Sequence, residues 1–154
     1  MQAGELAEPF PIVTLSTDVL TAARTMGDHR LPGLIVCKDD GRPHTILPGS
    51  QVLRFMIPAY VQDDPTLARV YDERASEKLM TKLSSRTVRD LLPEPRDRDE
   101  LPVVEPDATI LEVAALMARM RSPLVAVVDG GRILGAVTVS RLFEMLFPEQ
   151  TDAS

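Results

Sequence analysis

The chain has 154 residues, of which 44% are hydrophobic but only 4% aromatic, with no Trp. That suffices for one domain, or two very small ones sharing a core, packed from Val, Leu, Ile, Ala and Met and with few rings to stack on a nucleic-acid base. A formal charge of −6 argues against binding a phosphate backbone, and a single Cys excludes an intrachain disulfide and suits a reducing compartment.

No stretch approaches the roughly 18–20 apolar residues of a membrane span. The opening MQAGELAEPF lacks the basic and apolar regions of a secretory signal. A cytoplasmic protein with no membrane insertion is the expectation.

From residue 11 the chain reads as a short apolar strand, PIVTL, followed by a helix. Ser16 or Thr17 is the expected N-cap, and Val19, Ala22, Ala23 and Met26 recur at helical spacing. Pro32 ends that pattern, and Leu34–Cys37 is a continuous apolar run of the kind that forms a strand buried on both faces. Asp39–Gly41 supplies turn residues that tolerate φ > 0, His44–Leu47 returns as the next strand, and Val52, Leu53, Phe55 and Met56 mark an amphipathic helix.

An insertion occupies roughly residues 58–100. Asp64-Pro65 has the form of an N-cap followed by Pro at the first helical position, and the spacing predicts one helix showing Leu67, Val70, Tyr71, Leu79 and Leu83 on one side. Such a helix must cover apolar surface, either on its own module or in a partner's groove. Thr87–Asp90 has capping-box spacing with Asp in place of Glu or Gln. PEPRDRDE, at 93–100, reads as a solvated charged loop in which Arg96, Asp97, Arg98, Asp99 and Glu100 are surface residues.

The remainder repeats the first part. Residues 11–37 run parallel to 102–128 at an offset of 91, placing Val13 on Val104, Ala23 on Ala114, Met26 on Met117, Arg30 on Arg121 and Pro32 on Pro123. After one deletion the offset becomes 90, placing Gly41 on Gly131 and Val52-Leu53 on Leu142-Phe143. Asp107 is the expected cap of a helix carrying Ile110, Val113, Ala114, Met117 and Met120. Leu124–Val128, the turn Asp129–Gly131, Ile133–Thr138 and a helix with Leu142, Phe143, Met145 and Leu146 complete the second copy.

This duplicated order resembles the CBS-domain pair, or Bateman module. Its most specific part is SPLVAVVDGGRILGAVTVSRLFEML, and TVRDLLP at 87–93 is similar to the short helix that precedes the family's first strand. The resemblance implies an α+β (α/β-like) fold of two β-α-β-β-α repeats packed sheet to sheet with pseudo-two-fold symmetry. It divides the chain into repeat one at 9–57, a helical insertion at 58–85, repeat two at 86–148 and a disordered tail at 149–154.

The resemblance also implies clefts that take AMP, ADP, ATP or S-adenosylmethionine as a regulatory ligand. Mapped onto this chain, Val103, Pro123 and Leu124 would flank the adenine, and Thr138 and Ser140 would meet sugar or phosphate. The position of the family's ribose-binding acid is Arg141 here. A guanidinium has no acceptor, so Arg141 is expected to neutralise an anion, with Arg121 adding positive charge. In the first copy Pro48 and Gln51 stand at the positions of Thr138 and Arg141. Pro48 offers no hydroxyl and Gln51 only an uncharged acceptor, so that copy is expected to be silent.

Cys37 reads as a buried inert thiol, and with His29 and His44 it makes no metal-ligand spacing. No phosphate loop, nucleophile elbow or paired-carboxylate signature is present, so the chain is not expected to be an enzyme. The expected function is a non-enzymatic regulatory CBS pair that binds an adenine nucleotide or related phosphorylated metabolite and modulates a separate enzyme or transporter. A homodimer with no nucleic-acid partner is the expected assembly. The alternative is a ligand-free dimerisation or scaffold module that regulates a partner by contact alone.

Overall fold

The computed structural model describes residues 1–70, 73–94 and 100–149. In chain order its elements are α1 (Ala3–Leu6), β1 (Ile12–Thr14), α2 (Val19–His29), β2 (Gly33–Cys37), β3 (Pro43–Pro48), α3 (Gly49–Met56) and α4 (Ala59–Asp63). A 3-10 helix (Pro65–Val70) leads to α5 (Glu73–Ser84) and α6 (Val88–Leu91). Then come β4 (Val103–Val104), α7 (Ile110–Met120), β5 (Leu124–Asp129), β6 (Arg132–Thr138) and α8 (Val139–Leu146). Two compact units result, one made from residues 11–40 and 44–99, the other from 1–10, 41–43 and 100 onward.

In the first unit β1, β2 and β3 form a three-stranded sheet in that order, with β1 parallel to β2 in the register Ile12–Ile35 and Val13–Val36. All five residues of β2 are buried, as its unbroken apolar run requires. Leu34, Val36 and Leu47 pack with Val19, Ala22, Met26 and Val52 from the two helices. Asp18, not Ser16 or Thr17, caps α2, its carboxylate accepting from the Thr21 N–H at 2.9 Å.

The second unit repeats this plan. β4 runs parallel to β5, and β5 pairs antiparallel with β6, Leu124 opposite Thr138 and Ala126 opposite Ala136. Gly130 and Gly131 turn the hairpin with φ of 60° and 81°, values that a residue with a Cβ adopts only at a cost. Val113, Met117, Val125, Val127, Val137 and Leu142 form the core. The cap of α7 is Thr109, whose hydroxyl accepts from the Glu112 N–H at 3.2 Å; Asp107 lies in the preceding turn.

Each sheet-and-helix body is completed by a segment distant in sequence. In the first unit Val88 and Arg89 donate their N–H groups to the carbonyls of Thr17 and Leu15, at 2.8 and 3.0 Å. In the second, Ala3 and Gly4 donate to the carbonyls of Ala108 and Pro106, at 2.8 and 2.9 Å. The isolated bridges match as well, Asp18 with Thr87 and Gln2 with Thr109. The internal repeat therefore extends to these short helices: α1 serves the second body as α6 serves the first. Leu6 and Leu91 are both buried.

Beyond Asp64, where one helix was expected, the described residues form the 3-10 helix Pro65–Val70 and the helix α5, and the insertion also holds α4 before them. Leu67 in the 3-10 helix is exposed, Leu79 is half-buried and Leu83 enters the core. The expectations for the Val70 side chain, Tyr71, the loop residues at 95–99 and the tail beyond 149 lie outside the described residues. The helix α5 covers its own module, packing on α2 and α3. Lys82 fastens it there, its ammonium donating to the Phe55 carbonyl at 3.0 Å and lying 4.6 Å from the centroid of the Phe55 ring.

Candidate functional site

The residues singled out in the second copy fall on one unit but do not line one cavity. Leu124 is fully buried, and Val103 is exposed on β4. Pro123 is exposed and accepts from the Val139 N–H at 3.1 Å, which ties the start of α8 to the start of β5. The Thr138 hydroxyl caps α8, accepting from the Arg141 N–H at 3.2 Å, while Ser140 is exposed in the first turn.

Arg141 is engaged with its own chain. Its Nε donates a long bond of 3.4 Å to the Leu6 carbonyl and lies 3.3 Å from the Glu8 carboxylate. A terminal nitrogen lies 3.5 Å from Glu144, and the side chain is 28% exposed. The partner segment is itself fixed, because Glu8 and Ala136 exchange two backbone hydrogen bonds of 3.0 Å. Only glycine fits beside that bridge: a Cβ on Gly135 would lie 2.5 Å from the Glu8 carbonyl oxygen.

Arg121 is placed elsewhere. It is the left-handed cap of α7, with φ of 52°, as Arg30 is of α2, with φ of 53°. With Ala114, Met117, Val139 and Leu142 it lines a groove of about 230 Å³ between α7 and α8.

The larger cavity lies in the first copy, the one expected to be silent. It has a volume of about 650 Å³, between the end of β3, the start of α3 and the α6 segment. Pro48, Ser50, Gln51, Arg54 and Asp90 contribute to its lining. The Gln51 amide nitrogen donates to the Leu91 carbonyl at 2.9 Å, the counterpart of the Arg141–Leu6 contact, which leaves the amide oxygen as an acceptor. Arg54 brings a permanent cation and Ser50 a hydroxyl. Asp90 accepts from the Thr87 N–H at 3.0 Å, and this bond, aided by the Thr87 hydroxyl and by Arg86 and Arg89, holds its carboxyl below the usual carboxylate range. Ser50 and Arg54 were not singled out in the sequence; their spacing of one helical turn on a predicted amphipathic helix was the available signal.

Burial, followed by the nearby Asp40, pushes the Cys37 thiol up, away from the reactive thiolate. Among the described residues no group of three or more His, Cys, Asp or Glu is placed to hold a metal ion. No helix among them is long and apolar enough to cross a membrane.

Comparison with known proteins agrees with this architecture. The family model of the CBS domain matches residues 88–147. With the duplicated sheet-and-helix units and a relative 53% identical along nearly its whole length, the match is decisive: the chain belongs to the CBS-domain family. That relative is a CBS domain-containing protein from Kribbella flavida, aligned over 95% of this chain and 98% of its own with a TM-score of 0.85. The CBS domain of a CBS domain-containing membrane protein from Sphaerobacter thermophilus is 22% identical over 97% of this chain and 90% of that one, with a TM-score of 0.73. CBSX2, crystallised in complex with AMP, is 19% identical over 94% and 95% of the two chains, with a TM-score of 0.65. Comparison with curated proteins finds no match.

Proposed function

We propose that this protein is a non-enzymatic, cytoplasmic regulatory CBS pair that binds an adenine nucleotide or related phosphorylated metabolite and modulates a separate enzyme or transporter. The observation that carries the reading is the cavity of about 650 Å³ beside Gln51. Its volume falls in the roughly 300–1,000 Å³ range of small-molecule sites. Its lining combines the elements a nucleotide needs: Arg54 for a phosphate, the Gln51 amide oxygen and the Ser50 hydroxyl for a sugar. The AMP complex of CBSX2 supports the ligand class. Regulation follows if the ligand binds two packings of the repeats with unequal affinity, since only a difference in affinity shifts their populations.

The test is thermal unfolding with millimolar AMP, ADP, ATP or S-adenosylmethionine. A ligand at 100 times its Kd adds about 2.7 kcal/mol to the native state. At least one of the four is expected to raise the midpoint, and Arg54→Ala to lose most of that rise for a phosphorylated ligand while leaving any response to adenosine unchanged. Unchanged melting with all four overturns the nucleotide reading. The alternative, a ligand-free scaffold, draws support from the second copy, where the Arg141 guanidinium is already committed to Leu6, Glu8 and Glu144. It predicts capture of a partner without any nucleotide-dependent stabilisation.

A further inference from the structure

Among the described residues, the cavity beside Gln51 is lined by one cation, Arg54, and one carboxylate, Asp90. Arg86 and Arg89 lie close enough to Asp90 to offset its charge, which leaves Arg54 to face a bound anion. A single phosphate monoester carries a charge of about −1.5 to −2 at pH 7, and one guanidinium can take two of its oxygens at once. A second phosphate group exceeds what Arg54 alone can neutralise.

A further cation stands at the wall of this site. Phe55 follows Arg54 in α3 and borders the cavity. On Phe55 rests the Lys82 ammonium of α5, 3.0 Å from the carbonyl oxygen and 4.6 Å from the ring centroid. Both contacts are to uncharged groups, and among the described residues no carboxylate pairs with this ammonium. A ring face holds an exposed ammonium only weakly, and a phosphate oxygen is the stronger acceptor because both partners are then charged. Lys82 is exposed, so its flexible stem can carry the charge to a new partner while α5 stays in place. Its neighbour Leu83 keeps α5 there, buried in one cluster with Met26 and Val52.

From this placement we infer that Lys82 is a specificity-determining residue, which leaves Phe55 for the second phosphate of a diphosphate or triphosphate ligand and makes the cavity prefer polyphosphates to monophosphates. The inference rests on the nucleotide reading of the cavity and adds to it the length of the phosphate chain. Arg54, on the wall itself, takes the first phosphate whatever follows it. Lys82 meets only a ligand that extends past Arg54 toward Phe55, so its charge separates ligands that Arg54 treats alike. The insertion thereby gains a part in binding as well as in packing: it supplies the second cation from outside the repeat that forms the cavity.

Calorimetric titration of the full chain with AMP, ADP and ATP, without divalent metal, tests it. The wild type is expected to bind ADP and ATP about tenfold more tightly than AMP, the gain of one charge-assisted hydrogen bond. Lys82→Met keeps the apolar stem against Phe55 and removes the charge. It is expected to bring ADP and ATP to about the affinity of AMP, with AMP itself unchanged and the far-UV circular dichroism that of the wild type. Lys82→Gln is a second neutral variant should the first fail to fold, and Lys82→Arg is expected to keep the preference. A clasp that only fastens α5 predicts instead an equal loss for all three ligands. That equal loss, a wild type without the preference, a preference that survives Lys82→Met, or its disappearance in Lys82→Arg overturns the inference and leaves the nucleotide reading standing. Absence of binding by all three removes both.

Discussion

Replacing Gly135 by Ala tests the closure of the second repeat by the N-terminal arm. In an ordinary strand the exchange is favourable by about 0.5–1 kcal/mol, because alanine loses less backbone entropy on folding. Here the new Cβ would stand 2.5 Å from the Glu8 carbonyl oxygen and 3.1 Å from its carbonyl carbon. Both are backbone atoms, so no side-chain rotation relieves the clash. The arm must withdraw, and the two 3.0 Å hydrogen bonds between Glu8 and Ala136 open. At about 0.5–1.5 kcal/mol net for each bond, the loss is about 1–3 kcal/mol, and the intrinsic gain offsets part of it. The expected outcome is a net destabilisation of about 1–2 kcal/mol, read as a lower urea midpoint at constant slope. Amide exchange should rise at Glu8 and Ala136 while β2 stays protected. A variant as stable as the wild type, with the Glu8 amide still protected, would refute the role assigned to this contact.

Gly27 offers the opposite sign. It lies in the exposed part of α2 with nothing within 4 Å of the place a methyl group would take, so Gly27→Ala should raise stability by about 0.5–1 kcal/mol in the same urea titration. Arg30→Gly and Arg121→Gly should each raise it by a similar amount, about 0.5–1 kcal/mol, because both residues hold left-handed backbone at helix ends; a loss for either would reveal side-chain contacts that outweigh the strain. The Asp18 carboxyl is held below the usual carboxylate range by the Thr21 hydroxyl and N–H, so its contribution is present above about pH 4 and lost as pH falls through the lowered folded value. The repeat-two caps Thr109 and Thr138 do not titrate, so exchange protection should fail first in α2 on acidification, and Asp18→Asn should flatten the pH dependence of the urea midpoint.

Elements fixed by local chemistry were legible in the sequence. The apolar runs Leu34–Cys37 and Leu124–Val128 and the glycine turns fall within or beside the strands and hairpins expected of them. The caps were misplaced by one or two residues because both cap regions are set by long-range bridges. Asp18 pairs with Thr87, and Thr109 with Gln2, and neither partner is visible from the helix itself. The arm was missed for a related reason: it buries only Ala3 and Leu6 in its helix, too few positions to show a period. Aligning Gln2–Leu6 with Thr87–Leu91, Glu5 on Asp90 and Leu6 on Leu91, would have been the signal. The site was less legible. Chemistry by residue type favoured Arg141 over Gln51, but the cavity follows the packing of β3, α3 and α6, and a guanidinium has a use that composition does not disclose.

The arm also sets an order of events during synthesis. Leu6 is made well before its partner: the guanidinium that grips its carbonyl comes 135 residues later. At about 5–20 residues per second the ribosome leaves that segment waiting about 7–27 s for its site. The first repeat meets α6 well before then and can settle while the second is still emerging. The nascent chain therefore carries an unsatisfied arm until α8 is out, and an encounter between two nascent chains in that interval could exchange their arms.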